Sequence, residues 1–279
     1  MNDFQQARIA LGTRLREMRA EAGLSGRDLA ARLGWPQSRV SKLETGRQTA
    51  TAADLDAWAE GTGHPADASE LKGRLLALET SIRSWKRALA GGHRAVQEAN
   101  VVQEQQAEHI RLFEAAIIPG LFQISEYARA VLTDVSERHG SPRDIDAGVR
   151  ARLKRQEILY QPGHRVDALI WEPALLTVRC SPDAMIDQLD RLIGFMDLGS
   201  VTLGIVPLGA RTHFSPKGGF WIIDDTLVVA DTWSAEMWLD AVDDLALYRK
   251  IFQQLSDAAV YGRGAQRLIA RARAVIESP

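Results

Sequence analysis

The chain has 279 residues, which is enough for one large domain or two ordinary ones. Hydrophobic residues make up 46% and charged residues 25%, the profile of a soluble globular protein. The sequence contains no apolar run of about 18 residues that would indicate a membrane span, and its charged N-terminus lacks the apolar core of a secretion signal. The one cysteine, Cys180, excludes an internal disulfide and a multi-cysteine zinc site. We therefore expect a cytoplasmic protein without membrane contact.

Charge is unevenly distributed along the chain, although the formal net charge is only −2. Between Arg8 and Arg47 there are nine arginines and lysines against four acidic residues, so the remainder of the chain carries an excess of seven negative charges. A basic segment joined to an acidic one indicates a polyanionic partner. Chance clustering on a solvated helix face would give the same charge, and charge alone does not separate the two interpretations.

The first 62 residues predict a group of short helices. Apolar periodicity places them at about 4–22, between Ser25 and Gly34, at about 37–45 and at about 51–60. Ser25 is the expected N-cap of the second helix, and Pro36 opens the third. In the third helix only Val40 and Leu43 are apolar, so the remaining side chains are expected to face outward.

The outward-facing side chains of the third helix are hydrogen-bonding groups of modest length: Gln37, Ser38, Arg39, Ser41 and Lys42. Such side chains suit the base edges of a major groove, which admits one α-helix. Two short helices joined by a tight turn predict a helix-turn-helix that presents its second helix to DNA. The alternative interpretation is a protein-interaction domain of four helices without DNA contact.

The segment "LREMRAEAGLSGRDLAARLGWPQSRVSKLETGR" resembles the XRE/Cro-type, lambda-repressor-like helix-turn-helix domain of bacterial repressors. It contains "LxxxRxxxGLS", "LAxxLG" and "SxLExGR" in order and at the family spacing. The resemblance implies an all-α head of four to five helices. It also implies that bases are read by Gln37, Ser38, Ser41 and Lys42, and that Arg39 and Arg47 approach the DNA backbone.

Two further residue roles follow from this resemblance. The family usually has Gln or Glu where this chain has Gly26, so one customary phosphate contact is missing, and Arg27 is the candidate to replace it. In the family, the residue at Glu44 pairs with an arginine of the first helix, here Arg19. We expect this pair to be structural and not a DNA contact.

Beyond residue 62, we predict a helical connection over 63–108 and an α+β domain over 109–279. A helix carrying Leu71, Leu75, Leu78 and Ile82 on one face is expected first, then a Gln/Glu-rich helix at about 94–108 that packs across the head or forms a dimer contact. Strands are predicted at "HIRLFEA", "RVDALIW", "SVTLGIVP", "GFWIID" and "TLVVADT", with a hairpin at "DDTL". Their interleaving with helical patterns predicts a small sheet with several helices packed on it.

Four stretches of this second domain, at 117–132, 149–159, 187–210 and 218–224, resemble the C-terminal domain of actinobacterial WhiJ-type, antitoxin-like regulators. The resemblance implies regulation of neighbouring genes, with a small acidic partner protein. For the motif "IPGLFQ" at 118–123, we weigh a structural turn against recognition of a partner or ligand.

No motif of a common enzyme class is present, since the sequence lacks Walker A, GxSxG, HExxH and a helix-opening GxGxxG. Its six histidines have no metal-ligand spacing. We therefore expect no enzymatic activity, cofactor or metal. Cys180 is read as a packing residue, with a thiol activated at a helix start as the alternative. Asp224 and Asp225 fit a hairpin turn better than a catalytic pair.

The sequence as a whole predicts a DNA-binding transcriptional regulator, expected to be a repressor or antitoxin-like. One short helix reads only a few base pairs, so we expect a homodimer on two half-sites about one DNA turn apart. The alternative is a ligand-responsive regulator whose C-terminal domain binds a small molecule in a Trp-rich pocket, its effector unidentified. The tryptophans concerned are Trp171, Trp221, Trp233 and Trp238, which otherwise form core.

Overall fold

The structure is a computed structural model that describes residues 3–79, 82–142, 144–212 and 216–278. The chain divides into two compact units, Met1–Ile82 and Arg83–Pro279, and each is described by itself. Among the described residues, no helix has the length and apolar character needed to cross a membrane.

The first unit is entirely helical. Its helices are α1 (Asp3–Glu21), α2 (Gly26–Leu33), α3 (Gln37–Glu44), α4 (Ala52–Gly61) and α5 (Ala68–Glu79), with a 3-10 turn at Pro65–Asp67 before α5. Residues from all five helices form one core, in which Leu15, Leu55 and Trp58 are fully buried. Trp58 Nε1 also donates a hydrogen bond to the Leu15 carbonyl oxygen at 3.1 Å, which fixes α4 against α1.

The boundary between the units lies later than residue 62, where we predicted the head to end. Leu71 and Leu75 of α5 belong to the core of the first unit, because α5 packs on α1 and α4. The predicted connection over 63–108 is thus no separate element, and its residues divide between the two units. Ile82 does not continue the apolar face of α5 as predicted, because α5 ends at Glu79 and a strand begins at Ile82.

The second unit is built on an eight-stranded mixed sheet, larger than the small sheet that we predicted. Its strands are β1 (Ile82–Ser84), β2 (His109–Glu114), β3 (Arg165–Trp171), β4 (Val201–Val206), β5 (Phe220–Ile223), β6 (Leu227–Asp231), β7 (Ala235–Leu239) and β8 (Val260–Tyr261). They lie in the order β1-β7-β6-β5-β2-β3-β4-β8. Strands β2, β3 and β4 are parallel, whereas β5, β6 and β7 form an antiparallel meander. The additional strands β1, β7 and β8 enlarge the predicted sheet.

The helices of the second unit pack on both faces of this sheet. They are α6 (Trp85–Ala88), α7 (Gly92–Gln106), α8 (Ser125–His139), α9 (Ile145–Arg155), α10 (Glu172–Leu176), α11 (Pro182–Phe195), α12 (Val242–Ala258) and α13 (Arg263–Glu277). One face meets α12 through an apolar cluster that includes Phe113, Ile222, Val228 and Phe252. Because strand residues alternate in direction, Trp221 and Asp231 point to the opposite face.

Helix α7 packs on α9 within the second unit. Asp144 precedes α9 and accepts hydrogen bonds from the backbone N–H groups of His93 at 2.8 Å and Arg94 at 3.0 Å, in the first turn of α7. Burial opposes ionisation of Asp144, but these backbone hydrogen bonds outweigh it and lower its pKa. A carboxylate at a helix N-terminus is favoured by the exposed N–H groups there, so Asp144 joins the two helices.

The β5–β6 hairpin confirms the turn predicted at "DDTL". Asp224 and Asp225 have φ of 48° and 52°, a left-handed conformation that Asp tolerates in tight hairpin turns. Asp224 Oδ1 accepts from the His109 backbone N–H at 2.8 Å, and Asp225 Oδ1 accepts from Arg111 Nη1 at 2.6 Å. Both carboxylates therefore hold the hairpin against β2.

Candidate DNA-binding surface

Helix α2 and the turn after it are fixed by local capping. Ser25 Oγ accepts from the Asp28 N–H at 3.2 Å, and Asp28 Oδ2 accepts from the Ser25 N–H at 2.9 Å, a reciprocal capping box that confirms Ser25 as the N-cap. Gly34 ends α2 with a φ of 67°, a conformation that glycine adopts at little cost. The chain can then turn sharply into α3, which begins directly after Pro36.

Helix α3 is seated on the core by two apolar side chains and one close backbone approach. Val40 and Leu43 are both buried, as the sequence predicted. On α1, a Cβ added at Gly12 would lie 2.6 Å from the Leu43 carbonyl oxygen and 2.7 Å from that of Glu44. Only glycine lets α1 approach the C-terminal end of α3 so closely. No role for Gly12 was predicted from the sequence.

The predicted pair of Arg19 and Glu44 is confirmed. Arg19 Nε donates to Glu44 Oε1 at 2.5 Å, and Arg19 Nη2 donates to Glu44 Oε2 at 3.1 Å. Arg19 Nη1 donates to the Leu24 carbonyl oxygen at 2.6 Å. The side chains are only 15% and 7% exposed, so the pair is largely shielded from water and ties α3 to α1 and to the start of α2.

One side of α3 remains free for a ligand. Gln37, Ser38, Ser41 and Lys42 are all exposed, and their spacing of one and four residues places them on the same side of the helix. Their side chains make no hydrogen bond or ion pair with any residue that the structure describes. The opposite side carries the buried Val40 and Leu43, so the polar side faces solvent on a rigid support.

Arg39 differs from these four residues because its side chain is already engaged. Its Nη2 donates to Asp54 Oδ1 at 2.6 Å, and its Cζ lies 4.5 Å from the centre of the Trp35 ring. Asp54 is buried and forms a capping box with Thr51 at the start of α4. Arg39 thus connects α3 to α4, while its contact with the DNA backbone stays a prediction.

Arg27 and Arg47 are exposed at the start of α2 and just after α3. A Cβ added at Gly26 would lie 3.9 Å from Gln37 Nε2, which shows that the first turn of α2 lies beside the first turn of α3. A phosphate at this junction would meet free N–H groups of α2 and the Arg27 side chain. Both arginines remain candidates for phosphate contact.

The charge excess of the head is partly structural. Arg14 pairs with Glu17, Glu21 and Asp67, and Arg32 Nη1 donates to the Gly61 carbonyl oxygen at 2.9 Å. Together with Arg19 and Arg39, these side chains serve the fold. Around α3, Arg27, Lys42 and Arg47 are exposed and form no ion pair with a described residue, whereas the exposed Arg16 lies 3.7 Å from Glu44.

The second unit contains a cavity of about 1040 Å³. Trp221, Trp233 and Trp238 line it, whereas Trp171 does not and packs in the core on the α12 face. The prediction of a Trp-rich pocket therefore corresponds to a real cavity for three of the four tryptophans. Trp85 also lines it and was not singled out.

The motif "IPGLFQ" serves structure and lines this cavity as well. Gln123 is buried, its Nε2 donates to the Ile118 carbonyl oxygen at 2.7 Å, and its Oε1 accepts from Arg152 Nη1 at 2.8 Å. Cys180 is half-buried, and burial raises the pKa of its thiol, with the nearby Glu126 acting in the same direction. An activated thiolate is therefore not supported at Cys180.

The geometry of α2, the turn and α3 defines a helix-turn-helix protein of the DNA-binding class. Residues 10–71 match a family described as a helix-turn-helix domain. Residues 97–271, more than half of the chain, match the family described as a domain of unknown function (DUF5753), and the chain belongs to that family. Searches of curated proteins and of solved structures find no match to the chain.

Proposed function

We propose that the protein is a sequence-specific transcriptional regulator of the XRE type that inserts α3 into the major groove of DNA. The observation that carries the proposal is the unengaged polar side of α3, formed by Gln37, Ser38, Ser41 and Lys42. These side chains can pair with base edges, while Arg27, Arg47 and the free N–H groups of α2 can meet phosphates. The proposal assigns the chain a binding role without catalysis.

A homodimer is part of this proposal. An eight-residue helix reaches only a few base pairs, so useful specificity requires two heads on half-sites about 34–36 Å apart. The second unit is the proposed source of the dimer contact. Repression is the proposed effect, since a dimer bound over a promoter excludes polymerase. The four stretches of the second unit that resemble WhiJ-type, antitoxin-like regulators support a small acidic protein as a further partner.

Genome-wide mapping of the DNA bound by the full chain tests this function directly. A palindromic site with half-sites one helical turn apart, near genes whose expression rises when the protein is deleted, is the expected result. Scattered binding without a common sequence would contradict it. Purification of the full chain from its own cells, followed by mass spectrometry, tests for the small acidic partner.

The division of labour between the units is tested with a shortened chain. Because α5 completes the core of the first unit, the head should be cut after Glu79 and not near Thr62. We expect this head to fold, to bind DNA weakly, and to lose affinity steeply as salt rises. The full chain should sediment as a dimer and bind its operator far more tightly. A head that binds one half-site as tightly as the full chain binds its operator would exclude the second unit as the dimeriser.

A ligand-responsive regulator is the second candidate, and the cavity of about 1040 Å³ favours it. Ligand sites commonly occupy about 300–1,000 Å³ and combine apolar walls with a few polar groups. A metabolite that raises the melting temperature of the full chain and changes its DNA affinity would support this candidate. A rise only with a co-purifying small protein would favour the antitoxin-like function.

A further inference from the structure

Trp35 lies in the turn between α2 and α3, and no role for it was predicted from the sequence. Its backbone N–H donates to the Ala30 carbonyl oxygen at 2.9 Å, which ties the residue to the last turn of α2. Its ring packs against the core of the first unit, with its centre 6.2 Å from that of the fully buried Trp58 ring. The backbone and the ring of Trp35 are therefore both anchored to the folded unit.

The Trp35 ring carries the guanidinium of Arg39, whose Cζ lies 4.5 Å from the ring centre. Arg39 belongs to the first turn of α3, so the contact joins the turn of the helix-turn-helix to the helix that follows it. Indole faces attract guanidinium groups, which also stack on them. An arginine held in this way has lost part of the rotational freedom that its long side chain has in water.

Asp54 fixes the direction in which this guanidinium points. Arg39 Nη2 donates to Asp54 Oδ1 at 2.6 Å, and the Asp54 side chain is only 5% exposed. Asp54 cannot follow the arginine outward, because its other carboxylate oxygen accepts from the Thr51 N–H at 3.0 Å. The guanidinium is thus held by an anchored ring on one face and by an anchored carboxylate at one edge.

The three side-chain nitrogens of Arg39 have different surroundings. Nη2 is bound to Asp54, and Nε is closed off from solvent without a hydrogen-bond partner among the described residues. Nη1 makes no hydrogen bond with a described residue either, but it is not closed off from solvent. The side chain as a whole is 39% exposed. The guanidinium therefore presents Nη1 to the solvent in a fixed orientation.

Arg39 lies at the border of the exposed polar side of α3. It comes three residues before the exposed Lys42, and residues three apart on a helix are neighbours. Leu43, four residues after Arg39, is buried and marks the inner side of the helix. The major groove is about 12 Å wide and a helix with its side chains about 10–12 Å across, so the border of an inserted helix lies close to the phosphates of the groove wall.

We propose that Trp35 and Asp54 are positioning residues for DNA binding, which hold Arg39 so that its Nη1 donates to one phosphate at the wall of the major groove. This inference rests on the proposed function of α3. Because Nη2 is bound and Nε is closed off, Arg39 lacks the two free parallel donors that recognise guanine. It therefore contributes affinity and not base discrimination. A donor that is already oriented also avoids the entropic cost of ordering a long side chain on binding.

The first test measures the affinity of the full chain for its mapped operator and for random DNA at several salt concentrations. Arg39→Gln should weaken binding to both DNAs by a similar factor, and should make the slope of log affinity against log salt shallower by about 0.9 for each bound head. Arg74→Gln is the matched control, because Arg74 lies on α5 and pairs there with Glu70, and it should leave the slope unchanged. An unchanged slope for Arg39→Gln, or a loss confined to the operator, would overturn the proposal.

The second test asks whether Trp35 acts through Arg39. Trp35→Phe keeps an aromatic ring against the guanidinium and should bind the operator within about twofold of the unchanged chain. Trp35→Leu removes the ring and should weaken binding at least about threefold, but should cause no further loss where Arg39→Gln is already present. Equal losses from Trp35→Leu in both backgrounds would show that Trp35 acts by another route and would refute its positioning role.

Arg39→Lys tests the positioning without changing Trp35, so it decides the matter even if Trp35→Leu fails to fold. Lysine keeps the charge, but its single ammonium cannot bind Asp54 and also present a second nitrogen to a phosphate. This variant should therefore bind the operator more weakly than the unchanged chain, and thermal melts check that each variant is folded at the assay temperature. Equal affinity of Arg39→Lys and the unchanged chain would show that charge alone suffices.

Measurements on the unchanged chain separate this inference from the proposed function. If the unchanged chain shows no salt-dependent binding to DNA, the proposed function fails and the inference fails with it. If the unchanged chain binds its operator but the variants of Arg39 and Trp35 depart from the expected results, only the positioning role fails.

Discussion

Arg19 of α1 and Glu44 at the end of α3 form a two-point ion pair, with Nε to Oε1 at 2.5 Å and Nη2 to Oε2 at 3.1 Å. The pair is largely buried, so removing one partner leaves a shielded charge without compensation. We expect Glu44→Ala to lower the free energy of unfolding of the head by up to about 3–5 kcal/mol, measured by urea denaturation.

The double change Arg19→Met with Glu44→Leu distinguishes the ion pair from simple loss of packing. It removes both charges and retains volume, so much of the stability should return. A Glu44→Ala head as stable as the unchanged head would show that the pair contributes nothing.

The exposed side of α3 is tested by single alanine changes measured in gel shifts. Gln37→Ala and Lys42→Ala should each weaken binding to the cognate site by about 1–3 kcal/mol. On random DNA, Gln37→Ala should lose less, because its side chain is uncharged. Lys72→Ala is a matched control for charge, since Lys72 lies on α5, away from α3, and pairs with Asp56 of α4. An equal loss for Gln37→Ala on both DNAs would remove Gln37 from the base-reading residues.

Arg39 and Arg47 carry the same charge but should behave differently. Arg39→Ala leaves the buried Asp54 carboxylate without its guanidinium, so we expect a stability loss of about 1–3 kcal/mol together with weaker DNA binding. Arg47→Ala changes an exposed side chain and should weaken DNA binding with little change in the urea midpoint. If the two variants were equally stable, the Arg39–Asp54 contact would make no contribution to the free energy of unfolding.

The stability of the second unit should depend on pH through Glu114. Its pKa is raised from 4.5 to about 8, so the folded state binds its proton more tightly than the unfolded state. This stabilisation is fully present below pH 4.5 and is lost as the pH rises through about 8. Between pH 6.5 and 8, the free energy of unfolding should fall by at most about 1.4 kcal/mol per pH unit for this proton.

Glu114→Gln removes the titrating carboxyl group. The fall in the free energy of unfolding between pH 6.5 and 8 should therefore become smaller by at most about 1.4 kcal/mol per pH unit. Asp231 contributes in the same direction, since its pKa is raised to about 7. The window above pH 6.5 avoids His93, whose pKa is lowered by burial and whose contribution has the opposite sign. Identical slopes for the variant and the unchanged chain would contradict the enclosed position of Glu114.

Local signals in the sequence predicted most of the first unit. Ser25 and Pro36 mark helix starts because capping and proline geometry act within a few residues. The Arg19–Glu44 pair followed from the family resemblance. Gly12 and Asp54 were missed, since their roles depend on the packing of helices distant in sequence. For Asp54 a signal existed, because Thr51 three residues earlier forms the capping-box pattern.

The second unit was predicted less completely for physical reasons. The strand β7, "AEMWL", contains the buried Glu236. A charged residue at an inward position interrupts the alternation of apolar and polar residues by which a strand is recognised, so β7 was not predicted. The cavity collects Glu114, Arg152 and Asp231 from elements far apart in the chain. No local sequence pattern predicts that these residues lie close together. Only the four tryptophans indicated that the second unit contains a pocket.

Asp54 serves two helices with one carboxylate. Its Oδ2 accepts from the Thr51 N–H at 3.0 Å at the start of α4, while its Oδ1 receives Arg39 from α3. Asp54 therefore links the position of α3, the helix that we propose enters DNA, to the first turn of α4. If α3 enters DNA as proposed, a molecule that contacted Thr51 and loosened this turn would lower DNA affinity without contacting α3, and one that tightened the turn would raise it.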